Sequence, residues 1–210
     1  MLNIAVLVSG GGTNLQAIID SIESGYISNG RICVVISNNR GVRALERADD
    51  HDIPNAVISP KDYEDSDAFA DAMASKLAEY GTELIVLAGY LVKVPEKLID
   101  LYPNKIMNIH PALIPSFCGK GFYGLKVHEA VIDRGVKVTG ATVHFVNRDL
   151  DEGPIILQKT SDVRKDDTPE VLQRRVMEEC EWKILPEAIK LYSEGKIVME
   201  GGRAYVISEE

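Results

Sequence analysis

Short runs of β-branched and aliphatic residues alternate with amphipathic stretches over the first two-thirds of the chain, and nothing else in the sequence restricts the fold as much. Residues 3–8, Asn-Ile-Ala-Val-Leu-Val, are almost continuously apolar, as a strand covered on both faces must be. A helix is predicted over 13–22, a strand over 32–36, a helix over 42–50 and a short strand over 56–58. Phe69, Met73 and Leu77 recur at helical spacing within a helix predicted over 67–80, with Gly81 as its stop. Residues 84–87 form the most apolar strand, Pro95 opens a short helix, and 105–109 is a further strand. Such alternation implies the α/β class: a Rossmann-like, mostly parallel twisted sheet with helices on both faces and right-handed crossovers.

The pattern changes after His110. Residues 115–124 are Gly-rich and aperiodic, which reads as a loop, and a helix is predicted over 127–133. Strands over 138–146 and 154–160 flank a polar loop, 147–153. One long helix is predicted over 169–192, bent at Pro186, followed by a C-terminal hairpin whose strands are 197–199 and 204–207. With no internal repeat and no low-complexity linker, a single domain over 1–210 is expected.

Charge removes several function classes. Twenty-three basic against 32 acidic side chains leave a net charge of −9, which disfavours nucleic acid and anionic membrane surfaces as partners. Small-molecule substrates remain, with the chain a monomer or homodimer. Three scattered cysteines without a CxxC pair fit a reducing, cytoplasmic setting. The first residues show neither the basic region nor the cleavage site of a signal peptide, and no apolar run approaches a membrane span. No His/Cys/Asp/Glu cluster has metal-site spacing, so no metal is expected.

Ser9-Gly10-Gly11-Gly12-Thr13-Asn14 lies between the first strand and the first helix. In a parallel sheet that is the ligand-binding end, and glycines before a helix N-terminus suit a phosphate. A dinucleotide fingerprint would place a third glycine where Leu15 stands and an acid where Asn38-Asn39 end the second strand. A phosphate-binding Gly-Lys-Ser/Thr is absent as well. NAD and ATP are therefore disfavoured and a phosphomonoester preferred. The alternative is a plain turn with Thr13 as helix cap.

Asn108 and His110, two apart at the end of the fifth strand, share a face, and Pro111 ends the pairing. An amide can hold a carbonyl and an imidazole can move a proton. Asp149, Asp151 and Glu152 lie in the polar loop; one acid turned toward His110 would favour its charged form, and the residues alone do not say which.

Asn108-Ile109-His110-Pro111-Ala112-Leu113-Ile114-Pro115, with Thr142-Val143-His144-Phe145-Val146 and Leu150-Asp151-Glu152-Gly153-Pro154, resembles the catalytic segments of the folate-dependent formyltransferases. The opening segment, Val8 through Ile18, resembles the branch of that family acting on glycinamide ribonucleotide in purine biosynthesis. The resemblance implies formyl transfer from the co-substrate 10-formyltetrahydrofolate to the amine of glycinamide ribonucleotide. It implies Asn108, His110 and Asp151 as catalytic residues: Asn108 and protonated His110 on the oxyanion, Asp151 raising the His110 pKa and ordering a proton-relaying water. It also implies Gly12, Thr13 and Asn14 on the phosphate and Glu181 on the ribose hydroxyls. The folate would lie on Leu91, Val92, Lys93 and Val94 with Asn108 and Asn147. A hydrolase of the same folate, or a formyltransferase for another amine, is the alternative.

Three departures stand out. The resemblance leads one to expect Arg at Ser66 and Val92, where both would reach the folate's glutamate tail; Lys61 or Lys93 could compensate as point charges. The loop over 116–126 is longer than usual and carries Phe122 and Tyr123, suited either to a lid or interface or to an ordinary surface loop. Trp182 replaces a histidine and is expected to pack. His144 is expected to be a satisfied structural histidine. His51 at a helix end and His128 on a polar helix face are not expected to be catalytic, and Cys118 alone does not argue for a nucleophile.

Overall fold

The computed structural model describes residues 1–207. It is an α/β protein with a seven-stranded, mostly parallel sheet and a separate two-stranded hairpin. The chain divides into two compact units, Met1–Met107 and Asn108–Glu210.

The first unit holds β1 (Leu2–Val8), α1 (Thr13–Glu23), β2 (Gly30–Ser37), α2 (Arg43–Asp50), β3 (Asn55–Val57), α3 (Ser66–Glu79), β4 (Leu84–Leu87) and α4 (Glu96–Leu101). β1 pairs in parallel with β2 on one side and β4 on the other, and β2 pairs in parallel with β3. Ile4 through Val8 are fully buried, which explains why β1 shows no polar alternation. α3 starts where Asp65 Oδ1 accepts from the Ala68 amide at 2.8 Å, and buries Phe69, Met73 and Leu77. It stops at Gly81, whose φ of 58° a side chain would resist.

β5 (Ile106–His110) carries the boundary between the units. The second unit continues with α5 (Leu125–Arg134), β6 (Val138–Phe145), β7 (Ile155–Asp162), α6 (Pro169–Val176), α7 (Trp182–Ser193), β8 (Ile197–Glu200) and β9 (Arg203–Val206). β6 and β7 are antiparallel, as are β8 and β9. Thr168 caps α6 and Pro169 occupies its first turn. Arg175 forks onto both Asp167 oxygens and donates to Asp162 O at 2.9 Å, tying α6 to the end of β7.

The helix predicted over 169–192 is two helices. A wide π turn, Met177–Glu181, separates them, and Pro186 lies inside α7 instead of at the break. A proline leaves the carbonyl one turn earlier without its helical donor. Both Cys180 and Glu181 become buried in the turn. Among the described residues no helix is long and apolar enough to cross a membrane.

Candidate functional site

In the first unit, the segment after β1 walls a cavity of about 210 Å³ lined by Ser9 through Asn14 together with Ala88, Gly89 and Leu91. Gly12, at φ 71°, is the N-cap of α1, so Thr13 is the first helical residue and does not cap. Gly12 brings no side chain to cap α1, and no acid sits in its first turn. A helix N-terminus without an acidic first turn, with the positive end of its dipole there, suits an anion. A Cβ at Gly12 would meet Ala44 Cβ at 2.7 Å, so only glycine lets α2 pack this close. Ser9 is the hub of the loop: its hydroxyl donates to Asn38 Oδ1 at 2.5 Å and accepts from the Leu91 amide at 2.8 Å. Asn39 Nδ2 donates to Ser9 O at 2.8 Å. The Asn pair that argued against a dinucleotide therefore holds the glycine loop.

The segment after β4 carries the expected folate residues. Leu91 is 62% exposed, Lys93 is exposed, Val92 is half-buried and Val94 is buried. Lys61 lies in an exposed single turn, Pro60–Asp62, and Ser66 is exposed at the start of α3.

In the second unit, four polar side chains gather: half-buried Asn108 and buried His110 from the end of β5, buried His144 from β6, and buried Asp151 from the β6–β7 loop. His110 Nδ1 lies 3.7 Å from Asp151 Oδ2, and Asp151 Oδ1 lies 3.8 Å from His144 Nε2. Of the loop acids only Asp151 turns inward; Asp149 and Glu152 are exposed. Asp151 has φ 59°, a left-handed conformation costing about 1–3 kcal/mol for a non-glycine residue. The Gly119 amide donates to its Oδ2 at 2.8 Å. His110 Nε2 donates to Phe117 O at 2.8 Å, and Phe117 is itself left-handed at φ 51°. Both nitrogens of His110 thus face oxygens.

His144 is set the other way. Its Nδ1 donates to Phe145 O at 2.9 Å, which leaves Nε2 to accept from Asn108 Nδ2 at 3.1 Å. Burial pushes its pKa down, against weaker upward pulls from the Phe145 carbonyl and Asp151, so the ring is neutral. It is the satisfied histidine the sequence suggests. His128 is not on a polar face: it is fully buried in α5 between Val127 and Val131, with neither ring nitrogen bonded among the described residues. Burial, aided by the charge of His110, pushes its pKa down to about 4.

Glu181 is buried in the π turn, and Asn147 is half-buried at the start of the β6–β7 loop. Trp182 Nε1 is buried without a partner among the described residues, as expected of a packing residue. Burial raises the Cys118 thiol, which removes it further from nucleophile chemistry. Phe122 packs edge-on against Phe117 at 6.3 Å, while Tyr123 is exposed beneath Lys126. The Phe117 carbonyl and Gly119 amide had no signal in the sequence because main-chain atoms carry no residue identity.

The formyl transferase family model matches residues 2–189. The chain is 39% identical over 195 residues to phosphoribosylglycinamide formyltransferase, chloroplastic, from Arabidopsis thaliana, covering 92% of this chain and 66% of that protein. It is 41% identical over 208 residues to the trifunctional purine biosynthetic protein adenosine-3 of Bos taurus, covering 99% of this chain but only 20% of that protein. The crystal structure of glycinamide ribonucleotide transformylase 1 from Symbiobacterium toebii superposes with a TM-score of 0.93 at 44% identity, over 99% of this chain and 95% of that one. A family match that runs from β1 into α7 takes in both the glycine loop and the Asn108–His110–Asp151 cluster, and this chain belongs to the formyl transferase family.

Proposed function

We propose that residues 1–210 act as one formyltransferase domain. It moves the formyl group of 10-formyltetrahydrofolate to the amine of glycinamide ribonucleotide, in de novo purine biosynthesis. The group of half-buried Asn108 with buried His110 and Asp151 carries this reading. The neutral amine attacks the formyl carbon. The second N–H of Asn108 Nδ2 and the Nε2–H of His110, held here by Phe117 O, would take the charge developing on the formyl oxygen. Asp151 gives the imidazolium a counter-charge and orders the water that passes the amine proton to the departing nitrogen. The phosphate rests on the amides of Gly12, Thr13 and Asn14, and Glu181 accepts from the ribose hydroxyls. The pterin edge is read by main-chain groups of 91–94, a segment without regular structure, and by Asn147.

The test is a formyl-transfer assay run with and without acceptor. Transfer should require glycinamide ribonucleotide and fall by about 10²–10⁴ in His110→Ala. Folate turnover without acceptor would favour a hydrolase, and activity only with another amine would reassign the acceptor. For the glutamate tail we propose Lys61 and Lys93. Each Lys→Ala change should raise the KM for a polyglutamylated folate by about two- to fivefold, in keeping with exposed ion pairs. An unchanged KM would remove both lysines from the site.

A further inference from the structure

An anion cradle made of main chain has a difficulty of its own. Every peptide that offers an N–H also carries a carbonyl oxygen, and a carbonyl turned into the cradle repels a phosphate. Along the glycine loop each of these oxygens has a donor elsewhere. Ser9 O accepts from Asn39 Nδ2 at 2.8 Å, and Gly10 O from the Ala44 amide at 3.0 Å. Gly11 O accepts from Arg47 Nε at 3.0 Å, and Gly12 O from the Gln16 amide at 2.9 Å. The ties at Gly10 and Gly12 are main chain to main chain. At Gly11, the middle of the loop, the tie is the guanidinium of Arg47.

Charge sets Arg47 apart independently of these ties. Among the described residues no cationic side chain lines the cavity. Arg43, on the same helix, is neutralised by Glu46 at 2.5 Å and Asp50 at 3.7 Å. Arg47 makes no ion pair among the described residues. Its Nη1 donates instead to the neutral amide oxygen of Gln16 at 2.8 Å, which holds the guanidinium against the back of the loop. A whole positive charge thus stands behind an anion-binding wall that has none of its own.

We infer that Arg47 is a positioning residue for the acceptor's phosphate: it keeps the Gly11 carbonyl out of the cradle and supplies the positive charge behind it. Gln16 keeps Arg47 in place. The inference rests on the glycine loop being the phosphate site of the proposed reaction. It assigns Arg47 no part in the chemistry of the formyl group.

The experiment uses the full chain with Arg47→Met and Arg47→Lys. Each is assayed with glycinamide ribonucleotide and with the riboside lacking the phosphate. Heat denaturation with and without ribose 5-phosphate is measured in parallel. Arg47→Met should raise the KM for the ribonucleotide by about tenfold or more, the cost of losing a charged hydrogen bond. Its kcat should stay within about twofold of the parent. Activity on the riboside should be the same in both proteins, and Arg47→Lys should recover most of the lost affinity. Ribose 5-phosphate should raise the melting temperature of the parent and leave that of Arg47→Met unmoved. An equal loss on ribonucleotide and riboside, a fall in kcat alone, or no recovery by lysine would each overturn the inference. If the parent does not turn over glycinamide ribonucleotide, the proposed reaction fails and the ribose 5-phosphate shift decides Arg47 by itself. A shift lost in Arg47→Met upholds the role; a shift retained, or absent from the parent, refutes it.

Discussion

Asn108 has two nearly isosteric ends, and the proposed oxyanion site needs the amino end presented. His144 makes that choice. Because Nδ1 is committed to Phe145 O, Nε2 is an acceptor that only an N–H of Asn108 can answer. Burial keeps the ring neutral and so keeps the choice in force. Replacing His144 by Leu frees the amide to turn, and kcat should fall by about ten- to a hundredfold with substrate KM values little changed. An unaltered kcat in a folded variant would show that Asn108 is oriented by something else. Residue periodicity puts Asn108 and His110 on one face of β5, and that much is readable in advance. The partner that orients Asn108 sits 36 residues later, and no local pattern connects the two.

At the scale of elements, the β6–β7 pair shows how a strand can depend on one missing side chain. A Cβ at Gly140 would run into the main-chain oxygen of Lys159 on the paired strand and press on Leu113. Gly140→Ala should therefore cost about 1–3 kcal/mol, the range for overpacking a filled interior, read as a lower urea midpoint at unchanged slope. An unchanged midpoint would mean that the pair yields. Gly153 is confined in the same way by Phe145 O where the loop re-enters β7. The π turn makes the complementary point. Helical periodicity continues through 169–192 because a single wide turn barely alters the spacing of apolar residues, so the break between α6 and α7 is visible only in the main-chain path.

For the molecule as a whole, the buried histidines set the acid side of the stability profile. His128 has a folded pKa of about 4 against an ordinary 6.5. Between those values the unfolded chain binds a proton that the folded chain refuses, so stability falls as the pH falls through that window. The full effect is about 3 kcal/mol at one pKa unit per 1.36 kcal/mol. His144, also lowered by burial, acts in the same direction. His128→Leu should flatten the unfolding free energy between pH 6.5 and 4, measured by urea titration across that range. A profile parallel to that of the parent would show that His128 is not the group responsible.

The amino-acid sequence by itself determined the class of fold, since a buried parallel strand must be apolar on both faces. It also determined that polar residues meet at the end of β5, because a two-residue repeat and a following proline are local rules. Tertiary structure decided what depends on partners distant in the chain. From three loop acids it turned Asp151 inward, in a left-handed conformation that no residue pattern announces. It buried His128 where helical spacing suggested a polar face. It set Arg47 against Gly11 O, and the main-chain groups of Phe117 and Gly119 against His110 and Asp151. The physical reason is the same in each case: a carbonyl or an amide is identical in every residue, so only its position in the folded chain shows which one is used.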